Sequence, residues 1–161
     1  MKVLLQRVSR AEVRVDGLQV GSIGPGLLLL VCAVPTDTGA TADQLANKIA
    51  NLRIFQDAEG KMNRSLLDFP ESEASALVVS QFTLAADVRK GRRPSFTGAA
   101  PPALAVPLLD RFCAALKACG IATEAGIFGA HMEVELVNDG PVTIWLDSDE
   151  LFSPGAAEGE R

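Results

Sequence analysis

The chain has little with which to build a metal centre or a covalent framework. Among its 161 residues there is one histidine, His131, and three cysteines without a Cys-x-x-Cys pair. Structural and catalytic metals draw on clustered Cys, His and carboxylate ligands, so neither a metal nor a cofactor is expected. Cys32 lies in an apolar run, and Cys113 and Cys119 lie in a helical pattern. An odd number of cysteines so placed reads as free core thiols in a reducing compartment, hence a cytoplasmic protein. No stretch approaches the ~18 apolar residues that cross a bilayer. The longest, LLLLVCAV at 27–34, has the length of a buried strand. The amino terminus carries charge through its apolar part and lacks a small-residue cleavage site, which reads against a signal peptide. Aromatics are scarce at 5%, and no aromatic stacking motif of an RNA-binding module is visible. The net charge of −5 does not announce a nucleic-acid binder, although an average hides local clusters. Neither a membrane nor DNA is expected as a partner.

What is present suits a single soluble domain, with 48% hydrophobic and 22% charged residues. The first fifteen residues alternate with strand periodicity, Asp16-Gly17 signals a hairpin, and LQVGSIG returns as its partner. The buried strand at 27–34 follows Gly24-Pro25-Gly26. Thr41 with Gln44 suggests a capping box, opening a helix over about 42–52 with Leu45, Ile49 and Leu52 on one stripe. A short strand at RIF and a DAEG turn come next. ALVVSQFTL at 76–84 predicts a second buried strand, and 85–100 is a loop by composition. Pro101 and Pro102 open a second helix with core stripe Leu104, Leu108, Phe112 and Leu116, and Gly120 fits its end. Two strands, HMEVELV and VTIWLD, are separated by Asn138-Asp139-Gly140-Pro141, by default a hairpin turn. The expected fold is mixed α+β, with mostly antiparallel sheets in a barrel-like, layered β/β/α arrangement and two main helices on one side. One domain over 1–148 and a flexible tail over 149–161 complete the reading.

Three stretches carry candidate chemistry. In SQFTLAADVRKGRRPSF, Ser80 or Thr83 could be a nucleophile, but that needs a base, and His131 alone is available without nucleophile-elbow spacing. Alternatively both hydroxyls bond backbone at a strand end, or the strand end frees backbone N–H groups that polarise a carbonyl. Arg89, Lys90, Arg92 and Arg93 place four positive charges in five residues. They read either as a solvated loop or as a loop that folds around phosphates. Gly140-Pro141 joins a residue of wide backbone freedom to the one residue that commonly accepts a cis bond.

Together, QRVSRAEVRVDG, IGPGLLLLV, KIANLRIFQDAEGKMNRSLLD, SQFTLAADVRKGRRPSF and FGAHMEVELVNDGPVT, in this order from Met1 to about Ser148, resemble the D-aminoacyl-tRNA deacylases, long known as D-tyrosyl-tRNA deacylases. One departure is that Ala85 follows SQFTL where the family commonly has Tyr. The resemblance implies an enzyme that hydrolyses the ester of D-aminoacyl-tRNA, and of glycine mischarged on tRNA-Ala, without a cofactor. It implies a homodimer with active sites at the interface. Gly140 and Pro141, joined by a cis bond and oriented by Arg7, would enter the partner's site and exclude an L side chain. Ser80, Gln81, Phe82 and Thr83 would line the reacting ester, with backbone groups and the tRNA's own ribose hydroxyl assisting. Phe128 and Met132 would surround the terminal adenosine, and Arg89, Lys90, Arg92 and Arg93 would contact tRNA phosphates. Two other readings stand beside this one: a sister deacylase of relaxed chirality with a trans Gly-Pro bond, and a tRNA-binding module without catalysis.

Overall fold

The computed structural model describes residues 1–152. Its organising element is β1 (Lys2–Val15), fourteen residues of alternating burial. Asp16 and Gly17 both adopt positive φ, 50° and 77°, and turn the chain directly into β2 (Leu18–Ile23). Those angles match the right-handed twist of a hairpin and suit an Asp-Gly pair. β3 (Gly26–Cys32) lies antiparallel to the first half of β1, pairing Val8 with Gly26 and Lys2 with Cys32.

Helix α1 (Gly39–Ala50) follows. Its cap is Thr38, whose side chain accepts from the Thr41 N–H while Thr41 Oγ1 accepts from the Thr38 N–H. The expected box of Thr41 with Gln44 is thus displaced by one turn toward the amino end. The reason is that the PTDTG loop already carries a second threonine at the true cap. The short strands β4 (Phe55–Gln56) and β5 (Met62–Arg64) form a separate ribbon around the DAEG turn.

β6 (Ser75–Ser80) runs parallel to β3, and β7 (Ala122–Ala125) runs parallel to β6. The predicted strand over 76–84 therefore ends at Ser80, where Phe82–Ala85 turns into a single 3₁₀ turn. Helix α2 (Pro102–Ala118) begins at the expected prolines, and Pro107 falls inside it. The chain ends in β8 (Glu133–Asp147) and a short helix α3 (Ser148–Phe152). Helix α3 takes up the start of the stretch read as a tail, and the rest of that stretch lies outside the described residues.

The two expected carboxy-terminal strands are one. β8 pairs antiparallel with β1 along almost its whole length, from Lys2–Asp147 to Arg14–Glu133. Asn138-Asp139-Gly140-Pro141 is therefore no hairpin turn. It belongs to a bulge inside a continuous strand, because both flanks alternate in phase with the same partner strand.

The layering follows from the two faces of β1. Val3 and Leu5 join Leu27, Leu29 and Val78 beneath Leu45 and Ile49 of α1 and Phe112 and Leu116 of α2, all buried. Both helices thus cover one sheet face, as the mixed α+β reading expects. Val8, Ala11 and Val13 instead join Leu28, Leu77 and Val79, with Met132, Val134 and Leu136 packed against them. Here β2 and β8 close the sheet over itself, giving a nearly closed, barrel-like β/β layer.

Candidate active site

A cleft of about 410 Å³ opens where β3 and β6 end side by side. Its lining runs through Val31 and Cys32 of β3 with Ala33 just beyond, Ser80 at the end of β6 with Gln81 and Phe82 after it, Phe96 and Ala99–Pro101 of the following loop, and Pro102 at the start of α2. Ala105 and Leu109 of α2, with Phe128 and Gly129, complete it. Parallel strands present their carboxyl ends at one edge, which is where ligands enter sheets of this kind. The lining is chiefly apolar, with Ser80 and Gln81 among its few polar side chains.

The sequence SQFT is built for exposing backbone. Gln81 N–H still extends the ladder, donating to Val31 O at 2.8 Å. The 3₁₀ turn then begins, and the first N–H groups of a helical turn have no intrahelical acceptor. Among the described residues, neither the Phe82 nor the Thr83 N–H donates to an acceptor. Thr83 Oγ1 accepts from Gln81 Nε2 and is exposed, and His131, two residues before β8, is exposed as well. Among the described residues neither the Ser80 nor the Thr83 hydroxyl is hydrogen-bonded to a base. The Ser–His arrangement considered from sequence is not assembled.

Phe82 is 57% exposed and meets Phe96 edge to face, with centroids 5.1 Å apart. Cys32 Sγ points at the Phe82 carbonyl at 3.6 Å, and burial pushes its thiol up from the ordinary cysteine value. The thiolate needed for nucleophilic chemistry is thereby disfavoured.

The second candidate element stands apart. Opposite Gln6 lies Thr143 and opposite Val8 lies Asn138, so four residues, Asp139–Val142, face Arg7 alone. The Gly140–Pro141 peptide is cis, the isomer that the resemblance implies, and both residues are exposed. Arg7 is buried at 5% exposure. Its Nε donates to the Asp139 carbonyl at 3.1 Å and its Nη1 to the Ile54 carbonyl at 2.5 Å. Gly140 has φ of 131°, and a Cβ there would sit 2.8 Å from Arg7 Nη2. Only glycine fits. Because Arg7 pairs with Leu27, the bulge lies four residues, roughly 13 Å, along the sheet from Val31 at the cleft. It does not line the cleft of its own chain.

The remaining expected residues divide. Phe128 lines the cleft, whereas Met132 packs into the second core beside Gly126 and Val13. The loop bearing RKGRR is pinned by two backbone hydrogen bonds between Asp87 and Ser95, of 2.7 and 2.9 Å. Asp87 also holds Arg89 through both carboxylate oxygens, so its carboxyl lies below the usual carboxylate range. Lys90, Arg92 and Arg93 are exposed and make no ion pair among the described residues. Sequence reasoning missed Phe96 and the Ala99–Pro102 wall. The prolines there signalled a helix start, and nothing in their pattern distinguished a cleft wall from a cap.

Residues 4–147 match the family described as D-Tyr-tRNA(Tyr) deacylase. The chain belongs to that family. A protein of Thermomicrobium roseum named D-aminoacyl-tRNA deacylase is 66% identical over 151 residues, covering 94% of this chain and 96% of its own. A solved structure described as c-Myc DNA Unwinding Element Binding Protein is 39% identical, with a TM-score of 0.82 over 91% of this chain and 98% of that one. Another, of a probable eukaryotic D-amino acid tRNA deacylase, reaches a TM-score of 0.73 at 20% identity, covers 90% of this chain and 97% of that one, and supports the fold alone. Membership places the chain among ester hydrolases that act on aminoacyl-tRNA. Among the described residues no helix is long and apolar enough to cross a membrane.

Proposed function

We propose that the protein hydrolyses the ester of D-aminoacyl-tRNA, releasing the D-amino acid and free tRNA. The observation that carries this reading is the break at Ser80. A strand ends at an apolar cleft, and the next turn begins with two N–H groups that have no acceptor among the described residues. An aminoacyl ester is already activated, so a positioned water and a stabilised oxyanion suffice. Water adds to the ester carbonyl carbon, and the Phe82 and Thr83 N–H groups hold the oxyanion. The carbon–oxygen bond to the ribose then breaks and the ribose oxygen takes a proton. The vicinal ribose hydroxyl of the tRNA orients the water. Ser80, Gln81 and Phe82 shape the cleft, Thr83 acts through its backbone, and Phe128 borders the terminal adenosine.

Chirality is read by exclusion. The Gly140–Pro141 bulge is exposed and lies about four residues of strand from its own cleft. It therefore serves the cleft of a second copy in a homodimer, where its carbonyls meet the α-ammonium and an L side chain has no room. Glycine, lacking a side chain, passes the same filter, so glycyl-tRNA mischarged on tRNA-Ala is a substrate as well. Lys90, Arg92 and Arg93 contact phosphates of the acceptor end, in the cytoplasm where charged tRNA is found. The test is ester loss from D-aminoacyl-tRNA and from the L form of the same amino acid. Loss from the D form alone supports the reading. Equal loss from both supports a deacylase of relaxed chirality, and loss from neither leaves a tRNA-binding module.

A further inference from the structure

The bulge is held from two sides, and only one side is accounted for by Arg7. On β1 residues alternate between faces, so Arg7 shares the helix-covered face with Val3 and Leu5, while Gln6 and Val8 point the other way. The strand partners of Gln6 and Val8 are Thr143 and Asn138, the last paired residues on either flank of the bulge. These two are tied directly: Asn138 Nδ2 donates to Thr143 Oγ1 at 3.0 Å. Gln6 Nε2 approaches the same oxygen at 3.4 Å. A bond between residues five apart across a four-residue excursion closes the neck of that excursion.

Stability alone does not explain the asparagine. Its Oδ1 is buried without a hydrogen-bond partner among the described residues. An unsatisfied buried acceptor is costly, and an apolar residue would avoid that cost in a strand whose neighbours pack on a hydrophobic core. Local rules broken in this way mark positions held for function.

We propose that Asn138 and Thr143 are positioning residues of the chirality filter, their hydrogen bond closing the neck of the Gly140–Pro141 bulge and fixing where it points. The inference rests on the filter reading given above and adds to it a second anchor. Arg7 sets the bulge from the helix side and the neck sets it from the barrel side. With one anchor gone the bulge tilts and the exclusion of L side chains weakens, while the cleft itself is untouched.

The experiment compares initial rates on D- and L-aminoacyl-tRNA bearing the same amino acid, with thermal midpoints measured alongside. Thr143→Val keeps the shape and removes the oxygen, Asn138→Leu removes the amide, Thr143→Ser keeps the oxygen, and Arg7→Lys is the reference. Loss of one such hydrogen bond is expected to lower the D:L rate ratio roughly three- to tenfold. Thr143→Ser restores the ratio. A merely structural role lowers both rates together and leaves the ratio alone, which overturns the proposal. If Arg7→Lys lowers the ratio and both neck variants that lack the bond do not, the filter stands and the neck is refuted. If none of them changes it, filter and neck both fail. Should Thr143→Val not fold, Asn138→Leu decides by the same ratio.

Discussion

Arg7 Nε and the carbonyl oxygen of Asp139 are joined by a 3.1 Å hydrogen bond that ties the centre of the first strand to a bulge in the last. The same guanidinium also blocks the space where a Cβ on Gly140 would stand, at 2.8 Å. Anchor and glycine are therefore mutually required. Gly140→Ala places a side chain both at φ of 131° and against Arg7, and is expected to lower stability by ~1–3 kcal/mol. Thermal unfolding measures the loss, and the D:L rate ratio should fall with it.

Thr83 tests where the chemistry resides. Its hydroxyl is exposed and bonds only Gln81 among the described residues. Removing a true nucleophile or general base costs about 10²–10⁴ or more in rate. Thr83→Ala is expected to reduce kcat by less than about tenfold, in single-turnover assays on D-aminoacyl-tRNA. A complete loss of turnover with substrate still bound would return the hydroxyl to the mechanism.

The basic loop divides into a held charge and free ones. Asp87 is held below its ordinary value by the Arg89 side chain and N–H, so this pair is intact above the unfolded carboxylate value. It is lost only as pH falls through the depressed folded value. At neutral pH Arg89 is thus committed to Asp87, while Arg92 and Arg93 are available. Neutralising both should flatten the salt dependence of charged-tRNA binding by roughly 0.7–0.9 per contact, equally for every amino acid carried. Arg89→Gln should change that slope less. An unaltered slope in the double variant removes the loop from tRNA binding.

Cys32 offers a check on the cleft wall. Burial raises its thiol above the ordinary cysteine value, so the protonated form dominates at neutral pH. Alkylation at pH 8 should be much slower in the folded protein than in denaturant, with mass spectrometry locating the adduct. Rapid labelling of folded Cys32 would show a more open cleft.

The fold was legible in sequence where one residue type dominates the local choice. Asp16-Gly17 could only be a tight turn, and the 3.6-residue stripe of Leu108, Phe112 and Leu116 could only be a helix face. Phe82 and Leu84 continue an apolar pattern after the ladder has stopped, so hydrophobicity carries the expected strand past Ser80 to residue 84. What ends the ladder is the start of a 3₁₀ turn, a backbone event that hydrophobicity does not record. Strand β7 escaped because Ala122–Ala125 is short and weakly apolar, paired only because β6 lies alongside. The Gly140-Pro141 stretch had every mark of a hairpin. Whether two alternating flanks pair with each other or with a third strand is decided by β1, over a hundred residues away. For the same reason SQFT and NDGP are visible as motifs in one dimension, while their separation on one chain is visible only in the fold.

Two roles are proposed, ester hydrolysis at the cleft beside Ser80 and the reading of chirality by the bulge opposite Arg7. Initial rates of ester loss from D- and L-aminoacyl-tRNA bearing the same amino acid, for the unaltered protein and for Arg7→Lys, test both together. Rapid loss from the D form, almost none from the L form, and a lower D:L ratio in the variant are expected. Equal hydrolysis of both forms by the unaltered protein, or a ratio indifferent to Arg7, would contradict that expectation.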